Sequence, residues 1–289
     1  MSDRSRSTRR GFLAGTAGVA AATGLAACSG SGDSGAAGAA VRPAPVTASP
    51  TGPTGPTGPA SLAGTSPAPA TAAAGDGPDL VPGGPALAVA HGPRDRPQVA
   101  LTFHLGPHEA GQDIGLAHQL LTEATQLSVP LTVFVVGQWL DAHRDLVPAL
   151  LAGGNELANH TFTHPTLTAL APAAVSTEIV GCRDVLARLA PTEGRYFRPS
   201  GTSTATPTIL TAAGTAGYRT VVDFDVDPLD YTSPGADAVV ARVRAATRPG
   251  SIVSMHFGYP GTVSAFGRIV ANLRAAGLTP VRVQDLLTG

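Results

Sequence analysis

The sequence predicts an α/β fold over residues 96–289: a parallel sheet covered by helices and closed, or nearly closed, into a barrel. Three observations predict it. Short runs rich in Val, Leu and Phe alternate with longer segments in which Ala and Leu recur at helical spacing. The alternation persists from about residue 96 onward, as expected when each strand is followed by a helix that covers it. The polar residues that break the pattern fall at the C-terminal ends of the short runs, where barrels of this kind carry their chemistry.

Strands are predicted at residues 98–103, 131–136, 156–159, 196–198, 218–223, 251–255 and 281–283. The first is an apolar run stopped by Gly106-Pro107, and its last residues lead directly into His104 and Leu105. Helices are predicted at 114–127, 146–152, 173–190, 206–213, 236–246 and 263–276, the second ended by Gly153-Gly154. The folded part is long enough for one substantial core.

Residues 1–95 read differently, with almost no aromatic side chains and no amphipathic pattern. Residues 1–28 have the form of an export signal. Arg9-Arg10 with flanking Ser7, Thr8, Phe12 and Leu13 is a twin-arginine pattern, and Leu25-Ala26-Ala27-Cys28 matches a lipobox. The apolar segment between them is short and dominated by Ala and Gly, so the membrane contact expected is a lipid anchor on Cys28 rather than a span. Residues 29–95, including TGPTGPTGPA at 51–60, read as a disordered Gly/Ala/Pro/Thr-rich linker; the triplet run is too short for collagen. This places the domain outside the cell, at the outer face of the cytoplasmic membrane or in the cell wall. With Cys28 lipidated, Cys182 has no disulfide partner and reads as a buried core thiol. The formal net charge of −1, with no basic stripe, excludes a nucleic-acid partner, and a monomer is expected.

The candidate chemistry lies at the strand ends. His160 and His164 are four residues apart: ~13 Å on an extended strand, too far to share an ion, but about 6 Å apart on a helical turn. The chain is therefore expected to curl just after Asn159. Asp227 and Asp230 follow the fifth strand, and His256 ends the sixth; a carboxylate beside an imidazole fixes its tautomer and raises its basicity. Arg198, at another strand end, could orient a carboxylate or cap an ion pair.

In order, TFHLGP (102–107), HTFTH (160–164), RPSG (198–201), DPLDY (227–231) and SMH (254–256) resemble the motifs of the polysaccharide deacetylases, carbohydrate esterase family 4 with its NodB-homology domain. The usual forms are T-F-D-D-G-P, H-[ST]-x-x-H, R-P-P-Y-G, D-x-x-D-W and L-x-H. The resemblance covers roughly residues 97–288. It implies a distorted (β/α)7 TIM-like barrel that removes acetyl groups from a cell-wall or extracellular amino-sugar polysaccharide, peptidoglycan or chitin-like, with a divalent metal, Zn2+ for preference. Carried over by motif, His160 and His164 are metal ligands, Arg198 is the orienting residue, and Asp227 with His256 is the acid pair. Tyr231 and Ser254 line the acetyl pocket.

The first motif departs from the family. His104-Leu105 stands where Asp-Asp is usual, which removes both the base and an anionic ligand. The third motif is one residue shorter, Tyr231 replaces Trp, and Ser254 replaces Leu. Arg198 without its acidic partner would disfavour an imidazolium, so His104 is expected to stay neutral. A neutral His104 joins His160 and His164 as an expected three-imidazole metal set, with His108, Glu109 and Asp113 as substitute ligands or bases. The alternative is a catalytically impaired, carbohydrate-binding pseudo-deacetylase.

Overall fold

The computed structural model describes residues 84–107, 114–191 and 194–288. The expected signal, the linker up to residue 83, and His108, Glu109 and Asp113 lie outside the described residues. Eight residues, Gln98–Leu105, form the longest strand (β2), and each side chain from Val99 to Leu105 is buried. On either side of it lie Thr132–Val135 (β3) and Ile252–His256 (β6), with Glu156–Asn159 (β4) beyond β3; all these pairs are parallel. Thr279–Val281 (β7) joins the start of β2. Leu87–Val89 (β1) pairs in parallel with Thr220–Val222 (β5). Single parallel bridges at Asn159–Phe197, Phe197–Val221 and Val226–Val253 carry the curvature between these groups. The result is the expected distorted α/β barrel, with part of its wall held by one-residue bridges rather than full ladders.

Strand side chains alternate between two cores, as the pleat requires. Ala100, Phe134, Ala158, Val222 and Ile252 point inward and pack with Val283 and Leu286 of the closing helix Val283–Thr288 (α8). Val99, Leu101, Phe103 and Leu105 point outward against Ile114–Gln126 (α1) and Pro260–Ala275 (α7). A second outer cluster joins Val175 and Ile179 of Pro172–Leu189 (α4) to Ile209 and Ala213 of Pro207–Thr215 (α5). The remaining helices are Gly137–Ala142 (α2), Val147–Leu151 (α3) and Ala236–Ala246 (α6). Among the described residues no helix is long and apolar enough to cross a membrane.

Three differences from the sequence reading have physical reasons. The fold begins before residue 96: β1 docks because Ala86 N donates to Leu210 O and Leu87 N to Arg219 O. Gly214 permits this approach, since a Cβ there would run into the carbonyl of Gly84. The expected strand at 196–198 shrinks to the single residue Phe197, which bridges Asn159 on one side and Val221 on the other, and Arg198 beyond it turns its side chain to Thr102. The last strand ends at Val281, and Val283 starts α8, whose first turn is tied down by Val283 N donating to Thr132 Oγ1. Cys182 is fully buried in α4 as expected, and burial pushes its thiol up to about 12.

Candidate active site

Register builds the site. His104 on β2 pairs with His256 on β6 and with Phe134 on β3, so the two imidazoles stand side by side at the C-terminal mouth. His160 follows β4 by one residue, held by its backbone N–H donating to Val135 O. The curl expected after Asn159 is present and takes an unusual form. Thr161 and His164 have φ values of 70° and 64°, in the left-handed region that a β-branched residue rarely adopts. Asn159 Oδ1 holds the first by accepting from Thr161 N at 2.8 Å. Glu178 of α4 holds the rest, accepting from Phe162 N (2.9 Å), Thr163 N (2.7 Å) and Thr163 Oγ1 (2.6 Å). The His160 and His164 rings end 5.0 Å apart, inclined at 65°.

The partner of His256 is Asp230, not Asp227 as expected. His256 Nδ1 donates to Asp230 Oδ1 at 2.7 Å, and Asp230 Oδ2 accepts from His256 N (2.9 Å) and Thr262 Oγ1 (2.7 Å). Asp230 is 1% exposed. Leu229, at φ 54°, reverses the chain and tucks Asp230 inward. Asp227 stays exposed at the rim, where its Oδ1 accepts from Leu229 N. The two aspartates lie three apart in one motif, and the turn that begins at the left-handed Leu229 separates the inward one from the one at the rim.

Arg198 is 1% exposed and lies beneath the pocket, its guanidinium 4.0 Å from the centre of the Phe134 ring. It donates to Val222 O (2.9 Å), Thr102 Oγ1 (2.8 Å), Asp223 O (3.3 Å) and His104 Nε2 (3.1 Å). Burial lowers its pKa to about 9, offset in part by the Asp223 charge, so it is protonated at neutral pH. Its contact with Asp223 is to the backbone carbonyl, and the Asp223 carboxylate raises its pKa without forming an ion pair with it. His104 Nδ1 lies 3.0 Å from His256 Nε2. His104 is held well below its ordinary pKa, first by burial and then by the neighbouring histidines and Arg198. It is neutral as expected, but burial is the main cause.

A catalytic zinc site takes three protein ligands whose lone pairs converge. His160 and His164 suit two of them. His160 Nδ1 donates to Arg198 O at 2.9 Å, which leaves the lone pair on Nε2, the tautomer that a ligand needs. His104 does not suit the third, which corrects the three-imidazole expectation. Its ring stacks on that of His160 at 4.1 Å and 23°, and its two nitrogens face Arg198 and His256. In-plane lone pairs of nearly parallel rings do not meet at one ion. Among the described residues no group of three His, Cys, Asp or Glu is arranged to hold a metal. Leu105 faces the other way and belongs to the core between sheet and helices.

These groups surround an open cavity of about 510 Å3. His104, His160, His164, Asp227, Tyr231, Ser254 and His256 all line it, so apart from the underlying Arg198 the expected residues meet at one place. Tyr231 and Tyr259 present edges to His256, with ring centres 5.4 and 5.8 Å away. Glu178, Thr262 and Tyr259 are not among the site residues expected from the sequence, and Asp230 is a strand-end candidate there without the role of His256 partner. Only Asp230 left a signal in the sequence, as the second acid of its motif.

Residues 91–221 match the polysaccharide deacetylase family. A chitooligosaccharide deacetylase of Rhizobium leguminosarum bv. phaseoli is 35% identical over 179 residues, 60% of this chain and 76% of the relative. The chain belongs to the polysaccharide deacetylase family. Among solved structures, the Bc1960 peptidoglycan N-acetylglucosamine deacetylase superposes with a TM-score of 0.63 at 25% identity, covering 69% of this chain and 92% of that one. A family 4 pseudoenzyme of Bacillus anthracis shares the fold at 20% identity with the same TM-score, over 69% of this chain and 68% of that one.

Proposed function

We propose that this polysaccharide deacetylase domain hydrolyses the acetamide of N-acetylated amino-sugar residues in a cell-wall or extracellular polymer of the peptidoglycan or chitin type. The observation that carries the reading is the Asp230–His256 pair at the wall of an open cavity, beside His160 and His164. The chitooligosaccharide and peptidoglycan deacetylases that the chain resembles support the substrate class. In the reaction a water oxygen bonds to the acyl carbon, the carbon–nitrogen bond breaks, and the departing amine takes a proton. His256 is placed to move that proton at Nε2, because Asp230 fixes the other nitrogen as Nδ1–H. Tyr231 and Ser254, which line the cavity, would bound the space taken by the acetyl group. His160 and His164 would hold a divalent ion, Zn2+ in this reading, which when bound would polarise the acetyl carbonyl.

A second reading, glycan binding without turnover, is favoured by one observation: His104 occupies the position of the usual base and is itself engaged on both ring nitrogens. Acetate release from chitin oligomers, peptidoglycan and acetylxylan, measured with bound metal, separates the two. Acetate release supports the deacetylase; retained glycan binding with no acetate on any substrate overturns it. Export as a lipoprotein anchored through Cys28 remains part of the proposal. Loss of lipid labelling and of membrane retention in Cys28→Ala is the expected result.

A further inference from the structure

Arg198, His104, His256 and Asp230 form one chain of hydrogen bonds, and its direction is fixed from both ends. A guanidinium only donates, so the 3.1 Å contact makes His104 Nε2 an acceptor and places the His104 proton on Nδ1. Asp230 accepts from His256 Nδ1, which leaves the His256 lone pair on Nε2. The 3.0 Å contact between the rings is then a hydrogen bond from His104 Nδ1–H to His256 Nε2. Both residues are buried, and Phe134 backs His104 edge-on, so another arrangement of the rings would need displacement of their neighbours.

We infer that His104 is a positioning residue that closes His256: it caps Nε2, the nitrogen assigned to proton transfer, and Arg198 keeps His104 in the one tautomer able to do so. Its bearing on turnover rests on the deacetylase reading; the hydrogen bond does not. Substrate must displace His104 from Nε2 before His256 can act. The consequence has the opposite sign to a metal-ligand role, in which any loss of His104 would weaken metal binding and activity together.

Two substitutions separate the ends of His104. Asn places its amide near the Nδ1 position and keeps a donor towards His256. Gln reaches the Nε2 position, keeps an acceptor for Arg198 and leaves His256 Nε2 uncapped. Nitrogen-15 spectra of the imidazoles in the wild-type protein should show both His104 and His256 as Nδ1–H tautomers; an Nε2–H tautomer at His104 overturns the inference. Carbethoxylation of His256 by diethyl pyrocarbonate, followed by mass spectrometry, should run roughly fivefold faster in His104→Gln than in wild type or His104→Asn, the factor one neutral hydrogen bond represents. Equal rates in all three overturn it, as does loss of bound Zn2+ in both His104→Gln and His104→Asn. Thermal unfolding of each variant confirms that the comparison is made on folded protein, and the wild-type spectra decide the tautomer even if both variants unfold. Failure to release acetate from chitin oligomers in every form would sink the deacetylase reading and leave these tautomer and modification results to stand separately.

Discussion

At the C-terminal mouth of the barrel, Arg198, His104, His256 and Asp230 satisfy one another along a chain of hydrogen bonds. At the opposite end, Glu156 stands at the start of β4 with Oε2 accepting from Thr132 Oγ1 (2.9 Å) and Gln284 N (3.3 Å). Its Oε1 is buried with no hydrogen-bond partner among the described residues. Burial raises this carboxyl to about 7. Both ends hold ionisable groups away from water, yet only the mouth opens onto the large cavity. The difference matches the division of labour in such barrels, with chemistry at the strand C-termini and stability at the N-termini. A buried titratable group is therefore not by itself a sign of function; what it faces decides.

The largest expected effect that tests this contrast is at the mouth. Asp230→Ala should reduce acetate release by about 10²–10⁴-fold, the range of a lost general acid–base partner, with the fold retained by circular dichroism. A variant with full activity would show that the mouth network is only structural. At the other end, Glu156→Gln should leave turnover unchanged and stabilise the protein at pH 8 by up to about 3 kcal/mol, read from urea midpoints. The sign follows from the raised pKa. The folded protein holds this proton more tightly than the unfolded chain, so the contribution is complete below about pH 4.5 and lost as pH rises through about 7. The gain should accordingly disappear at pH 4; one that persists there would mean that the carboxyl charge is not its cause.

Glu178→Ala should cost about 1–3 kcal/mol in stability, because it leaves the backbone N–H groups of Phe162 and Thr163 without their acceptor. It should also weaken Zn2+ binding measured by calorimetry, since the turn it holds sets the positions of His160 and His164. The smallest effect is expected at Asp227→Ala, less than about threefold on acetate release, since an exposed rim carboxylate makes no contact with the acid–base pair. A loss as large as that of Asp230→Ala would reverse the assignment between the two aspartates.

Much of the molecule was legible from the chain. The apolar runs at 98–103, 131–136 and 251–255 became buried strands because their side chains can be covered on both faces. The two histidines of HTFTH came together because a chain leaving a strand must turn, and four residues suffice for the turn. What stayed hidden depended on one dihedral angle or one long-range partner. β1 is three residues in a Gly- and Ala-rich stretch, and only its docking beside β5 makes it a strand. Glu178 lies on a helix face that reads as ordinary solvated surface until the turn is laid over it.

By itself the sequence determined the α/β alternation, the order of the motifs and the presence of His104-Leu105 in the first of them, because each is a property of neighbouring residues. The tertiary structure decided which aspartate meets His256, why His104 cannot join His160 and His164 around one ion, and which nitrogen of His104 carries its proton. Those outcomes turn on a left-handed Leu229, on the stacking of rings from different strands, and on Arg198 arriving from 94 positions away with only donors to offer. Hydrogen-bond direction is set by partners in space, and no local pattern in the chain records it.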